Sequence, residues 1–440
     1  YLSRRLGLGL SEWEGRDPAG LEGTLFEALL YSFPNSASRP SSPKAEGPAL
    51  RDWFDGGGVL IGRPRPGTPC RLGVALKGGH NAEHHNHNDL GSYVVAVGSM
   101  AVLLDPGAET YSARTFSARR YESKLLNSFG HPVPVVAGQL QRTGREAQAK
   151  VLRVDFTEDE DTLVLDLTSA YPVPQLVRLV RTFVYSRKGL GALTVEDEVE
   201  FTEPSSFETA LITLGRWRQE GPNRLFIWDY EEGVQVEVKA EGAAFEVRSE
   251  RIEEDAPVKP TRIGIRLAEP IRRAKVTMLI TPLPPGDEGT LRNGGFEEDT
   301  LGWRIPEDGF GSLSQEQAAS GQWSLKITDR RKDAGSDITS ARIRAGAGRY
   351  EVRGKYLGVS GDGIGIYIRF LDAQGNLLNP VDERGFIAPV GSLGGSERRW
   401  RPFAFPFEAP KGTVHLQVWI HSYTTARVEG YLDDLEIVRR

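Results

Sequence analysis

The chain is poor in sulfur: its 440 residues include one cysteine, Cys70, and two methionines. A single cysteine excludes an internal disulfide framework and any zinc site built on cysteine thiolates. No apolar run approaches the ~20 residues that a membrane-spanning helix requires. Positive charge is not in excess either. A net charge of −6 gives no general electrostatic reason to seek nucleic acid or an anionic membrane. Long helical patterns are scarce, and no repeat with a period of roughly 20 to 50 residues is present. The start also lacks two features: Tyr1 is not an initiator methionine, and YLSRRLGLGL has neither the charged start nor the small-residue cleavage site of a signal peptide. The sequence therefore reads as beginning inside a longer polypeptide.

Three regions differ in texture. Residues 1–50 contain the one convincing helix pattern. Asp17 is a candidate cap, Pro18 fits the first turn, and Leu21, Leu25, Leu29 and Phe33 form an apolar stripe that Pro34 ends. One amphipathic helix cannot bury its own face, so it is expected to be the end of a helical domain, with SASRPSSPKAEGPA (36–49) as a linker. Residues 51–286 read as strands: GVLIGR (58–63), SYVVAV (92–97), MAVLLD (100–105), LVRTFVYS (179–186), ALTVEDEVEF (192–201) and others are short apolar or alternating runs between turn residues. With no helices between them, they favour an antiparallel sandwich over a parallel α/β sheet. Residues 287–440, from NGGFEEDTLGW (293–303) to YLDDLEIV, read as a smaller second sandwich. The expected fold class is mainly β.

The notable local feature is histidine. Five of the seven histidines (His80, His84, His85, His87 and His131) fall between residues 80 and 131, where an even scatter would place about one. Histidine changes charge near neutral pH and is the commonest metal ligand. With Asp89 and Asp105 nearby, the window is a candidate metal or proton-transfer site, and a solvated polar loop is the plain alternative. If residues 85–89 form an extended strand, His85, His87 and Asp89 share one face. Pairing of SYVVAV with MAVLLD through the turn at Gly98 and Ser99 would return Asp105 to the vicinity of His87. His131 could then complete a zinc site of imidazole nitrogens and carboxylate oxygen. A cupin site is set aside because Gly91 stands where a Glu is needed. An iron oxygenase site could use His87, Asp89 and His131.

The run HNHNDLGSYVVAVGSMAVLLDPGAETY, followed by RRYESKLLNSFGHPVPVVAGQLQ, resembles the heparinase II/III-like polysaccharide lyases over roughly residues 51–285. That family carries an H-x-H-x-D-x-G-S-F/Y run, an L-x-D-x-G turn with a tyrosine nearby, and a later H-N-T-V-like strand. Pro132 stands where the family has Asn. The resemblance implies an α/α toroid joined to a large β-sandwich, with the helix at residues 18–33 as the toroid's last. It implies a structural zinc held by His87, Asp105 and His131, with His85 facing substrate and Tyr111 or Tyr121 as the catalytic tyrosine. The implied reaction is β-elimination on an acidic, uronate-containing polysaccharide by an exported protein (secreted, periplasmic or on the cell surface). The toroid would supply further catalytic groups, so an upstream helical domain or chain is the expected partner. The last 150 residues are similar to carbohydrate-binding jelly rolls. Trp303, Trp323, Trp400 and Trp419 are expected to be largely core, with at most one forming a sugar-stacking platform, and Glu297 with Asp434 are candidate calcium ligands. Arg63, Arg65, Arg114, Arg119 and Arg120 are candidates for binding glycan sulfate or carboxylate. The rival reading of different class is a non-catalytic glycan-binding scaffold.

Overall fold

The structure, a computed structural model, describes residues 49–98, 100–285, 289–423 and 427–440. The helix expected at residues 18–33, and the linker up to residue 48, lie outside the described residues. Asp52–Arg440 forms one compact unit, and its strands enclose two separate hydrophobic cores. The mainly β expectation holds.

Alternation in the sequence builds the larger sandwich. In Ala192–Ser205, Leu193, Val195, Val199 and Phe201 are buried while Thr194, Glu196 and Glu198 point outward. This strand lies between Leu176–Ser186 and Ile271–Pro282 in an antiparallel sheet of nine strands, which ends at Gly79–Asn81 on one edge and Arg216–Glu220 on the other. The facing layer has two parts. One is a five-stranded sheet that includes Leu72–Leu76, Tyr93–Val97 and Met100–Leu103; the other is a four-stranded sheet that includes Phe207–Thr213 and Thr261–Leu267. They meet edge to edge, where the Leu104 amide donates to the Ile212 carbonyl at 3.0 Å and Thr213 Oγ1 donates to the Val102 carbonyl at 2.8 Å. Between the layers Tyr93 and Phe183 meet edge to face at 5.8 Å. A side chain at Gly62 would strike the Tyr185 ring, so glycine sets how closely the layers approach there.

Two charged residues occupy inward positions of this core. Arg181 and Asp197 are direct cross-strand partners, both fully buried. The guanidinium forms a two-pronged pair with the carboxylate at 2.7 Å on each prong. Its other hydrogens go to the carbonyls of Gly91 and Pro132, both at 2.8 Å, and to Thr209 Oγ1 at 2.9 Å. All five guanidinium donors thus have acceptors, which is what makes the burial tolerable.

The second sandwich stacks a six-stranded sheet, built on Asp362–Leu371 and His415–Ser422, against a five-stranded sheet that includes Ser324–Asp329, Gly348–Ser360 and Val428–Arg439. Trp303, Leu325, Val352, Ile366, Val418 and Leu432 fill its core.

Several strands have little sequence signal. Gly144–Phe156 (GREAQAKVLRVDF) and Phe245–Arg251 carry mostly polar residues, because one face of each is exposed. The anticipated strand at PVPVVA shrinks to Val135–Val136, as prolines cannot donate to a ladder.

Arg181→Met leaves the Asp197 carboxylate buried without its partner. Urea unfolding should show a loss of about 3–5 kcal/mol, most of it recovered by adding Asp197→Leu. A single-variant loss below about 1 kcal/mol would mean the pair is not the anchor described here.

Candidate metal centre

The histidine-rich run is not a strand. Residues 82–91 form a loop of turns between Gly79–Asn81 and Tyr93–Val97, and His85 adopts a left-handed backbone with φ of 57°. The shared-face argument for His85, His87 and Asp89 therefore does not apply. The loop is held instead by buried amides. Gln141 Nε2 donates to the Leu90 carbonyl at 2.8 Å, while its Oε1 accepts from the Leu90 amide at 3.0 Å and from Asn81 Nδ2 at 3.2 Å. The Asn88 amide donates to the Leu126 carbonyl at 3.0 Å. Asn86 Nδ2 reaches both Asn88 Oδ1 and the Tyr121 hydroxyl at 3.2 Å. Sequence reasoning assigned no role to Gln141, Asn86 or Asn88. The available signal was the density of amide side chains in a stretch otherwise flanked by apolar strands.

The hairpin of Tyr93–Val97 with Met100–Leu103 forms as anticipated and brings Asp105 back beside the start of the run. Ser92 Oγ donates to Asp105 Oδ2 at 2.9 Å, and His131 Nδ1 lies 2.8 Å from the same oxygen. The His87 and His131 ring centres are 5.4 Å apart. Ligand atoms of His87, Asp105 and His131 all lie within 4.8 Å of one another. His131 is wholly buried, and its Nε2 has no hydrogen-bond partner among the described residues. Arg262 fixes the segment around it, donating to the carbonyls of Phe129, His131 and Val133 at 2.8, 3.0 and 3.3 Å.

Electrostatics prepare the three side chains differently. Burial, reinforced by His131, pushes the His87 pKa down to about 4, so its imidazole is neutral at neutral pH with a lone pair to donate. Burial works against the Asp105 carboxylate, but His131 and the hydrogen bonds it receives hold its pKa below the usual range. For His131 burial favours the neutral ring, and the Asp105 carboxylate outweighs it and raises the pKa. A buried nitrogen without an acceptor or donor, one neutral imidazole and one ionised carboxylate suit a zinc ion. The residues fit the group.

Asp89 is elsewhere. It is buried against Lys77, whose Nζ lies 2.5 Å from Oδ1, and burial raises its pKa. An oxygenase site of His87, Asp89 and His131 would need this carboxylate freed from its ion pair, so that arrangement is not favoured.

The other candidates separate. His85 is exposed in its turn. Tyr121 is half-buried with its hydroxyl on Asn86, next to His87 in sequence, whereas Tyr111 is 58% exposed and meets the exposed Phe116 ring edge to face. Arg63, Arg65, Arg114 and Arg119 pair with Asp52, Glu158, Glu109 and Glu122. Arg120 instead donates to the carbonyls of Asn86 and Thr115. Glu297 accepts from the amides of Gln322 and Trp323, both at 2.8 Å, and Asp434 pairs with Lys355 at 2.8 Å, so neither carboxylate is free of protein donors. Trp303 is core. Trp419, half-exposed, packs against Tyr367 at 4.5 Å with Arg369 over its face at 4.6 Å.

Residues 52–258 match the family model described as Heparinase II/III-like, C-terminal, which includes the whole cluster and bears out the resemblance. No curated protein matches the chain. Among solved structures it is similar to heparan sulfate lyase HepC from Pedobacter heparinus (12% identity, 74% of this chain and 46% of that one, TM-score 0.43). It is also similar to Heparinase III (14% identity, 66% and 40%, TM-score 0.42). Over part of its length it is similar to the CBM22-1 xylan-binding domain of Xyn10C from Paenibacillus barcinonensis (19% identity, 35% of this chain and 97% of that one, TM-score 0.26). The chain spans less than half the length of either lyase.

Metal analysis after dialysis should find one zinc per chain, lost in His131→Ala and in Asp105→Ala but retained in Asp89→Asn. Zinc that survives both alanine substitutions would place the ion elsewhere.

Proposed function

We propose that this heparinase II/III-like sandwich is the metal-braced half of a polysaccharide lyase, which cleaves a uronate-containing glycan by β-elimination outside the cytoplasm. One observation carries the reading. His87, Asp105 and His131 converge in a segment that matches the family, with Tyr121 tied to the same loop through Asn86.

In such a reaction a base removes the C5 proton of the uronate. The electron pair forms the C4–C5 double bond, the C4–O bond breaks, and the leaving oxygen takes up a proton. The C5 proton is removable only when the adjacent carboxylate is neutralised by hydrogen bonds or positive charge. Arg120 offers that charge: its guanidinium faces carbonyls and lies close enough to His87 to depress its pKa. Tyr121, oriented by Asn86 Nδ2 at 3.2 Å, is the group we assign to proton transfer. His85, exposed beside it, contacts the substrate. A zinc held by His87, Asp105 and His131 would supply charge and rigidity that fix the loop, as a brace rather than as the reacting centre. A helical domain forms the opposite wall of the cleft.

With the helical partner present, Tyr121→Phe should lower kcat by roughly 10²- to 10⁴-fold, followed by ultraviolet absorbance of the unsaturated product, while Tyr111→Phe changes it by less than about twofold. Zinc bound but no elimination from any uronate polymer would instead favour a glycan-binding scaffold.

A further inference from the structure

Residues 104–127 carry Asp105, Arg120 and Tyr121, yet they contain no strand, only turns and the short helical turn Arg120–Glu122. With no ladder of its own, such a segment must be held by side chains or by other parts of the chain. Some of the support is internal. The buried Glu109 carboxylate accepts from Thr115 Oγ1 at 2.6 Å and pairs with Arg114. Asn127 Nδ2 donates to the Tyr121 carbonyl at 3.2 Å. Arg120 Nη1 donates to the Thr115 carbonyl at 3.0 Å, and its guanidinium carbon lies 5.8 Å from the centre of the Tyr121 ring.

External support comes from the connection between Phe245–Arg251 and Thr261–Leu267. The Thr110 amide donates to the Asp255 carbonyl at 2.6 Å. Glu254 grips both arms of the segment. Its Oε2 accepts from Arg114 Nη2 at 2.7 Å on the outgoing arm, and its Oε1 accepts from the Lys124 backbone amide at 2.8 Å on the returning one. The Glu254 side chain is 16% exposed, so water competes little for these bonds. Lys259 Nζ in turn holds the Glu254 carbonyl. The returning arm is also pressed against the residue before His131, because a side chain at Gly130 would strike the Lys124 carbonyl.

Arg120 and Tyr121 lie in sequence between the two grips. One carboxylate serves both arms, and its bond to Arg114 is charge-assisted, roughly twice as strong as a neutral one. Its loss therefore frees both arms together. A group that transfers a proton is sensitive to such movement, since a displacement of about 1 Å can cost on the order of 10²-fold in rate. We propose that Glu254 is a positioning residue of the candidate site, which sets where Arg120 and Tyr121 stand. The catalytic consequence rests on the lyase reading, whereas the placement of Tyr121 can be measured without it.

The test labels the full chain with 3-fluorotyrosine and follows the Tyr121 fluorine resonance, assigned by its absence in Tyr121→Phe. Glu254→Ala should shift or broaden it. Glu254→Gln, which keeps an acceptor oxygen between the arms, should leave it near its original position. The Tyr93 and Tyr356 resonances, from the two cores, should stay fixed in both variants. With the helical partner present, Glu254→Ala should lower kcat by roughly 10- to 100-fold with KM changed less than about threefold, and Glu254→Gln should recover most of the loss. A Tyr121 resonance unmoved in Glu254→Ala overturns the inference, and so does one that moves only together with those of Tyr93 and Tyr356. Absence of elimination by the unsubstituted chain with its partner would sink the lyase reading alone, and the resonance decides the placement either way.

Discussion

The candidate centre depends on two arginines that lie in the core rather than at the surface. Arg181 ties the carbonyl of Gly91, at the end of the histidine loop, to that of Pro132, next to His131. Arg262, paired with Glu208 at 3.0 Å, holds the carbonyls on both sides of His131. Loops that carry ligands have no ladder of their own to satisfy their carbonyls. Here the guanidinium fork supplies the donors, so two irregular segments far apart in sequence acquire the rigidity of the sheets behind them. A buried ion pair adds little net stability, but it strongly penalises any arrangement that separates its partners. The pairs therefore specify one loop geometry more than they stabilise the fold.

Rigidity of this sort matters because the surroundings keep two of the three candidate ligands, His87 and Asp105, deprotonated. His87 is kept neutral by burial while Asp105 is kept ionised by His131 and Ser92. If the loop moved into water both groups would revert toward their ordinary values, so that His87 would take up a proton at milder acidity while Asp105 stayed ionised at neutral pH. Preorganisation of the ligands and of Tyr121 is thus one property, set by the same amide and guanidinium contacts.

The fold was legible in the sequence where strands alternate, as in ALTVEDEVEF, and where Gly98 marks a tight hairpin. It was illegible in polar strands such as Gly144–Phe156, whose placement is decided by neighbours rather than by their own pattern. The grouping of His87 with Asp105 and His131 was reached through the resemblance and the hairpin. The strand argument offered beside it was mistaken, since period-two spacing carries no face in a loop. Asp89 misled for the same reason: a carboxylate two residues from a histidine looks like a ligand until Lys77, twelve residues away, is seen to claim it. The two core arginines left no local signal, because their function lies entirely in contacts made across the fold.

The proposed brace is one zinc ion held jointly by His87, Asp105 and His131. X-ray absorption at the zinc edge tests it most directly. The expected shell contains two imidazole nitrogens and a carboxylate oxygen at about 2.0–2.2 Å, falling to a single imidazole in His87→Ala. A shell with one imidazole or none in the unsubstituted chain, or a spectrum unchanged by that substitution, would contradict it.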